Sequence, residues 1–268
     1  MRIVRLGPFF TFALLLSVTA LQAQQSSSPT IPVRDPQATG ILTQCLANSG
    51  GSAAVAAIQD FTAVGGITYF WAGEQVPGSV TVRGLGSTDF RIDAGLQDGT
   101  RSWTVTGLNG SVKEASGKST SIQTYNAMNL GAQTFPAVRM AVALNDPTLS
   151  VSPVTSVTLN GQKVYDVRTQ NIYSSTIDPT GDLSKWSTTD YLIDPSTFVL
   201  YEIENTLCPN DGSRGEYQHE TIFSNYKQVN GVLVPYSITE KVAGQQTWSI
   251  QLNSAEFNTG LTDAEFHF

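Results

Sequence analysis

Residues able to do chemistry are few in this chain and widely spaced. Ser224 and Lys227 stand three apart in Ser224-Asn225-Tyr226-Lys227, the spacing at which a lysine activates a serine in penicillin-recognising enzymes. That geometry needs a helical turn, because residues three apart meet on a helix and part on a strand. Here the surrounding stretch, Phe223 to Val242, carries apolar residues on both sides of Asn230-Gly231 and predicts a β-hairpin. The tetrad therefore predicts no nucleophile. The two histidines, His219 and His267, are no better placed. His219-Glu220 lacks the following histidine of the zinc-protease pattern, so two half-exposed strand histidines and no metal site are expected. Asp89 and Asp93 flank Arg91 on one strand face, and Glu202 and Glu204 share another. Paired carboxylates can hydrolyse glycosides, but carboxylates this dispersed read as surface solubility. G-x-S-x-G, a phosphate loop and G-x-G-x-x-G are all absent, which leaves acyl-hydrolase, nucleotide and dinucleotide readings without a foothold. No cofactor and no catalytic residue are expected.

Composition points away from nucleic acid as well. A net charge of −7 and a pI near 4.8 offer no basic patch for phosphates. Arg2 and Arg5 precede an apolar run from Phe9 to Leu21, with small residues at Ala20 and Ala23. This predicts a cleaved secretory signal peptide over residues 1–23 and a periplasmic or secreted mature chain. The run is short for a membrane span and nothing comparable follows it, so no integral membrane segment is expected in the mature chain. Oxidising compartments allow a Cys45–Cys208 disulfide; the alternative is two buried thiols.

The elements that must position any site are mostly strands. Residues 24–34 form a polar Ser/Pro linker, and residues 35–268 a single domain with no repeat or composition break. Asp35-Pro36 starts a helix with Ile41, Leu42, Cys45 and Leu46 on one face, and Gly50-Gly51 ends it. A second short helical turn follows over Ala53 to Ile58. From Asp60 the period falls to two, and the first long strand is apolar on both sides, which predicts cover on both faces. Strands are predicted at Ser79–Arg83, Thr88–Ala94, Arg101–Thr106 and Ser111–Ala115. Two short helices hinged near Gly131 to Pro136 occupy Ser121 to Asn145. Strands return at Ser150–Leu159, Lys163–Thr169, Ser184–Ile193, Val199–Asn205, Gln218–Tyr226, Val232–Val242 and Gln246–Phe257, and Gly260 to Phe268 reads as a final extended edge. Four Trp, nine Tyr and twelve Phe lie mostly in strands. They build either an ordinary core or the apolar lining of a curved sheet.

Several segments, in order, resemble the LolA/LolB-like superfamily of periplasmic lipoprotein carriers and lipid-binding proteins. They are the helix ending in Gly50-Gly51 before the strand of Phe61 and Ile67; Asp89-Phe90-Arg91-Ile92 followed by Trp103; Tyr191 to Thr197; Tyr226 to Pro235; and Thr247 to Asn253 with Leu261 to Phe266. Asn258-Thr259-Gly260 departs from the family's Asn-Pro. The resemblance implies an α+β fold, mainly antiparallel: a curved, unclosed half-barrel with an N-terminal helix and two lid helices on its concave face. It implies an apolar cavity that holds an acyl chain or another apolar ligand, without catalysis, in lipoprotein trafficking or a related envelope role, with a lipoprotein or envelope protein as partner. Candidate lining residues are Phe61, Ile67, Tyr69 and Trp71 on the first strand, and Val82, Phe90, Ile92 and Trp103 on the next three. In the lid they are Tyr125, Met128, Phe135, Val138 and Val142; on the late strands they are Tyr226, Val234, Trp248 and Ile250. Arg91 matches the family's arginine and either meets a polar head group or gates the lid; a salt bridge to Asp89 or Asp93 is its alternative. An envelope sensor or scaffold that binds a protein or peptide on the sheet is the second reading, and a hydrolase built on dispersed carboxylates the third.

Overall fold

A computed structural model describes residues 32–131, 133–210 and 215–268; the expected signal peptide lies outside the described residues. Asp35 starts helix α1 (Pro36–Asn48), its Oδ1 accepting the Ala38 N–H at 2.8 Å, with Pro36 in the first turn where a missing N–H costs nothing. Ala38, Ile41, Leu42, Cys45 and Leu46 form the buried face. Gly50 then turns the chain at φ +119°, and a Cβ there would lie 2.8 Å from the Gly231 carbonyl oxygen. Only glycine meets both demands. Helix α2 (Gly51–Ala56) follows.

The next six strands form a meander: β1 (Asp60–Trp71), β2 (Glu74–Leu85), β3 (Asp89–Leu96), β4 (Gly99–Thr106), β5 (Asn109–Lys113) and β6 (Ser119–Ile122). Helices α3 (Thr124–Leu130) and α4 (Pro136–Asn145) interrupt the sheet. It resumes with β7 (Leu149–Val151), β8 (Thr155–Leu159), β9 (Gln162–Asn171), helix α5 (Asp182–Trp186), β10 (Thr189–Ile193), β11 (Leu200–Leu207), β12 (Tyr217–Val229), β13 (Val232–Val242) and β14 (Gln245–Phe257). All fourteen strands belong to one antiparallel sheet, ordered β6-β5-β4-β3-β2-β1-β14-β13-β12-β11-β10-β9-β7, with β8 also paired to β9. The first and last strands meet at the centre, Ile67 opposite Ile250 and Tyr69 opposite Trp248. The ends β6 and β7 do not pair, so the sheet is a curved half-barrel, open at both edges.

Alternation sorts the two faces. Phe90, Ile92, Ala94 and Leu96 of β3 are buried on the side of the helices, while Arg91 and Asp93 turn outward. The core lies between the concave face and α1, α2 and α4, with Leu42, Phe135, Met140, Ile193, Ile203 and Phe223 fully buried in it. Burying each such side chain is worth about 1.5–3 kcal/mol. Arg34 anchors the entry to α1: its guanidinium donates to the carbonyls of Ala143, Leu144, Asp146 and Leu149, the end of α4 and just beyond. Its backbone bridges Val151, so the expected linker is already part of the structure by residue 34.

Some sequence expectations change. The outer face of β1 is uncovered at Val64, and Trp71 is 66% exposed. Ser184–Ile193 begins as helix α5 and becomes a strand only at Thr189. Ser150–Leu159 is two strands split at Ser152–Val154. The supposed edge at the C-terminus is a 3-10 turn, Asp263–Phe266, closed by a capping box between Thr262 and Glu265. Cys45 and Cys208 are both free and buried. Cys45 lies in the main core, while Cys208 directly follows β11 beside Asn126.

Candidate functional site

The concave face is filled at its centre and hollow on either side. Phe135, at the start of α4, packs its ring 4.9 Å from Phe61 and 5.5 Å from Phe257. With Val82, Val234 and Ile238 these rings leave a void of only about 10 Å³. Beside this plug, α3 and the turn after it roof a cavity of about 320 Å³ over β3 to β6 and the ends of β11 to β14. Its apolar walls are Tyr69, Phe90, Ile92, Trp103, Val105 and Trp248 under Leu130. The Tyr69 and Trp103 rings lie 6.1 Å apart. A second cavity of about 430 Å³ lies across α3, bordered by Phe90, Leu108, Met128, Val142, Arg139 and Tyr173. Phe90 borders both.

Polar groups are few and mostly committed. At one end of the first cavity Glu240 takes a hydrogen bond from the Thr247 hydroxyl, and its Oε1 lies 3.0 Å from His219 Nε2. His219 Nδ1 lies 2.8 Å from Asn205 Oδ1. Strand β12 therefore turns His219 inward, fully buried, where the sequence predicted a half-exposed histidine. Gln133 Oε1 lines the same cavity without a hydrogen-bond partner among the described residues.

Three polar side chains staple the lid to the sheet. Asn126 donates to the Cys208 carbonyl at 2.7 Å and accepts the Cys208 N–H at 2.8 Å. Asn129 donates to the carbonyls of Trp186 and Thr206. Arg139 donates to the carbonyls of Asn129 and Gly131, 2.8 Å each, and to Thr189 Oγ1 at 3.2 Å. These bonds close the last carbonyls of α3 and hold its roof over the cavity. Sequence reasoning missed all three. Arg139 had a signal, as the one charge in the apolar helix Pro136–Asn145.

The candidates from sequence fall into distinct places. Tyr69, Phe90, Ile92, Trp103 and Trp248 line the first cavity, and Met128 and Val142 the second. Phe61, Val82, Phe135 and Val234 enclose the small central void. Ile67, Val138 and Ile250 are buried in the core. Tyr226 packs against it with its hydroxyl donated to the Leu200 carbonyl. Tyr125 packs with its ring tilted 46° and 5.0 Å from that of Trp186 at the edge of the lid, and Trp71 projects into solvent. Arg91 borders the first cavity, but its guanidinium pairs with Asp93 at 2.8 Å and donates to the Glu265 carbonyl at 2.7 Å. It therefore neither meets the cavity with its charge nor reaches the lid; it holds the C-terminal tail. Burial pushes the Asp93 carboxyl up, and hydrogen bonds from Arg91 and Ser102 outweigh that, holding it below the usual carboxylate range. Ser224 is exposed on β12, while Lys227 sets its ammonium 4.0 Å from the Tyr236 ring centroid.

Comparison with solved structures decides the fold. A domain described as an outer membrane lipoprotein-sorting protein from Vibrio parahaemolyticus superposes with a TM-score of 0.54 at 13% identity, over 85% of this chain and 95% of its own. The chain has a LolA-like fold. A LolA superfamily protein from Nitrosomonas europaea matches at a TM-score of 0.51 and 12% identity, over 86% of this chain and 97% of its own. A DUF1329 family protein from Desulfovibrio piger matches at 0.51 and 12%, over 89% and 98%. No family model and no curated protein matches the sequence. Among the described residues of this LolA-like chain, no helix is long and apolar enough to cross a membrane.

Proposed function

We propose that this protein is an exported, non-catalytic carrier that holds a lipid acyl chain or another apolar ligand beneath its lid. The observation that carries this reading is the first cavity: about 320 Å³, walled by aromatic and aliphatic side chains and roofed by α3. Each methylene buried there is worth about 0.8 kcal/mol, so a modest length of chain supplies useful affinity without a polar anchor. The signal-peptide pattern of residues 1–23 supports work outside the cytoplasm, and the fold shared with lipoprotein-sorting and LolA superfamily structures supports an envelope role. A ligand enters when the staples at Asn126, Asn129 and Arg139 open and α3 lifts, and leaves the same way at a partner in the envelope.

The test is native mass spectrometry of the protein purified from its own envelope, with lipid extraction and displacement of a fluorescent fatty acid. A co-purifying lipid and probe binding lost in Leu130→Asp are expected, since Leu130 faces the cavity from the lid. Absence of both lipid and probe binding overturns the carrier reading.

A further inference from the structure

The outer face of β11 to β13 carries a carboxylate with nothing to bind. Glu202 is 3% exposed, lies on the face away from the helices and makes no hydrogen bond or ion pair among the described residues. A bulge sets it there: Leu192 pairs with Glu202 but Ile193 with Leu200, leaving Tyr201 as the extra residue beside it. Two more carboxylates crowd the same face, Glu204 directly opposite Glu220 on β12. Like charges placed directly across a ladder destabilise it. Lys241 pairs with Glu220 at 3.4 Å, and among the described residues Glu204 receives only the Gln218 amide at 3.2 Å. Negative charge is left over.

These groups line a pocket of about 400 Å³, walled on one side by the tip of the β8–β9 hairpin at Leu159 to Gln162 and floored by Val164 and Ile222. Among the described residues no three carboxylate, histidine or cysteine side chains are close enough to share a metal ion. The charges are spread too widely for one bare ion, and the space between them is aliphatic. An unpaired buried carboxylate either takes up a proton or gains a counter-ion from outside, and a pocket open at its side gives a counter-ion room. We propose that this pocket binds a primary amine on an aliphatic stem, the ammonium between Glu202 and Glu204 and the stem against Leu159, Val164 and Ile222. Burial and the neighbouring Glu204 and Glu220 push the Glu202 carboxyl up to about 7 against the opposite pull of Lys241, so the carboxylate form dominates only at mildly alkaline pH. The site is on the opposite face of the sheet from the lid, and its ligand is independent of the apolar cargo.

Calorimetric titration of the purified protein with hexylamine at mildly alkaline pH tests this, with hexan-1-ol as the neutral probe of the same stem and an Nα-acetyl-lysine amide as the lysine side chain of a polypeptide. Saturable binding of an amine but not of the alcohol is expected, weakened by about tenfold or more in Glu202→Gln and unchanged in Glu256→Gln, an exposed residue near the end of β14. Whichever amine binds more tightly tells a free amine from a lysine side chain. Removing an unpaired buried charge should leave Glu202→Gln folded, and Glu204→Gln is a second variant with the same readout. No amine binding, or binding that neither substitution weakens, overturns the proposal.

Discussion

Glu202 and Asp194 titrate with opposite consequences for stability. Burial, then Glu204 and Glu220, raise the Glu202 carboxyl to about 7 from its ordinary 4.5. Between those values the folded state holds a proton that the unfolded chain has released, so stability falls as pH rises through the window. Partial solvent screening limits this to roughly 1–2 kcal/mol. Hydrogen bonds from the Ser196 hydroxyl and the Thr197 N–H, with the Tyr201 hydroxyl, hold Asp194 below the usual range. That stabilisation is present above the ordinary carboxylate value and disappears as pH falls below it. Chemical denaturation at a series of pH values should show a decline between mild acid and neutrality that Glu202→Gln flattens; an unchanged slope would assign the decline to Asp166 or Glu204, both also raised. Burial pushes the Cys45 thiol up to about 12, which keeps it from reacting. Thiol reagents should therefore label Cys45 only after unfolding, and reductant should leave the melting temperature unchanged; a drop with reductant would reveal a bridge. At this scale the sequence was least legible. Strand parity places His219 inside only once the face toward the helices is known, and Arg91 met the Asp93 of its alternative reading because the tail folds back over β3.

Helices α3 and α4 are held differently, and each predicts a separate phenotype. Helix α3 is short and depends on Asn126, Asn129 and Arg139 for its attachment. Arg139→Met removes three hydrogen bonds, taking the arginine from the Gly131 carbonyl and leaving the Asn129 carbonyl only the Asn205 amide at 3.3 Å, at a cost of about 1–3 kcal/mol. Amide exchange should quicken over residues 124–131 more than in the central strands, and probe uptake should speed up; uniform quickening would mean global destabilisation instead. Helix α4 is fixed by its plug. Phe135→Ala should cost about 3–5 kcal/mol and open a void between Phe61 and Phe257, measured by denaturant melts and by added capacity for the fatty-acid probe. Both helices were legible from spacings of three and four around Pro136. Helix α5 was not, because its five residues are too few for periodicity and the stretch after it alternates like a strand. The tail's 3-10 turn carried a readable signal in Thr262-Asp263-Ala264-Glu265, the spacing of a capping box.

As a whole, the molecule joins two meanders by pairing β1 with β14. The individual strands of each meander follow from alternation and turns such as Asn160-Gly161 and Asn230-Gly231, which local sequence encodes. The central seam joins residues nearly two hundred positions apart in the chain, as with Phe61 and Phe257, and no local pattern specifies it. The same distance explains the mixed fate of the expected lining. Hydrophobic periodicity marks a buried face, and whether that face meets another side chain or empty space depends on Phe135 arriving from elsewhere.

An unclosed sheet has two borders, and they are guarded unequally. Strand β6 is four residues long, with exposed Ser119, Thr120 and Ser121. Strand β7 is overlaid by the segment before α1: the Val33 carbonyl accepts the Val151 N–H at 2.9 Å, and the Asp35 N–H donates to the Val151 carbonyl at 2.8 Å. Removing the chain through Arg34 strips this cover and exposes Leu149 to Val151 as a bare ladder able to pair with another copy. Light scattering on the shortened protein should record self-association that grows with concentration and fades in the intact chain. Those few residues ahead of α1 serve as a hem that keeps the fabric of the sheet from being sewn to its neighbour.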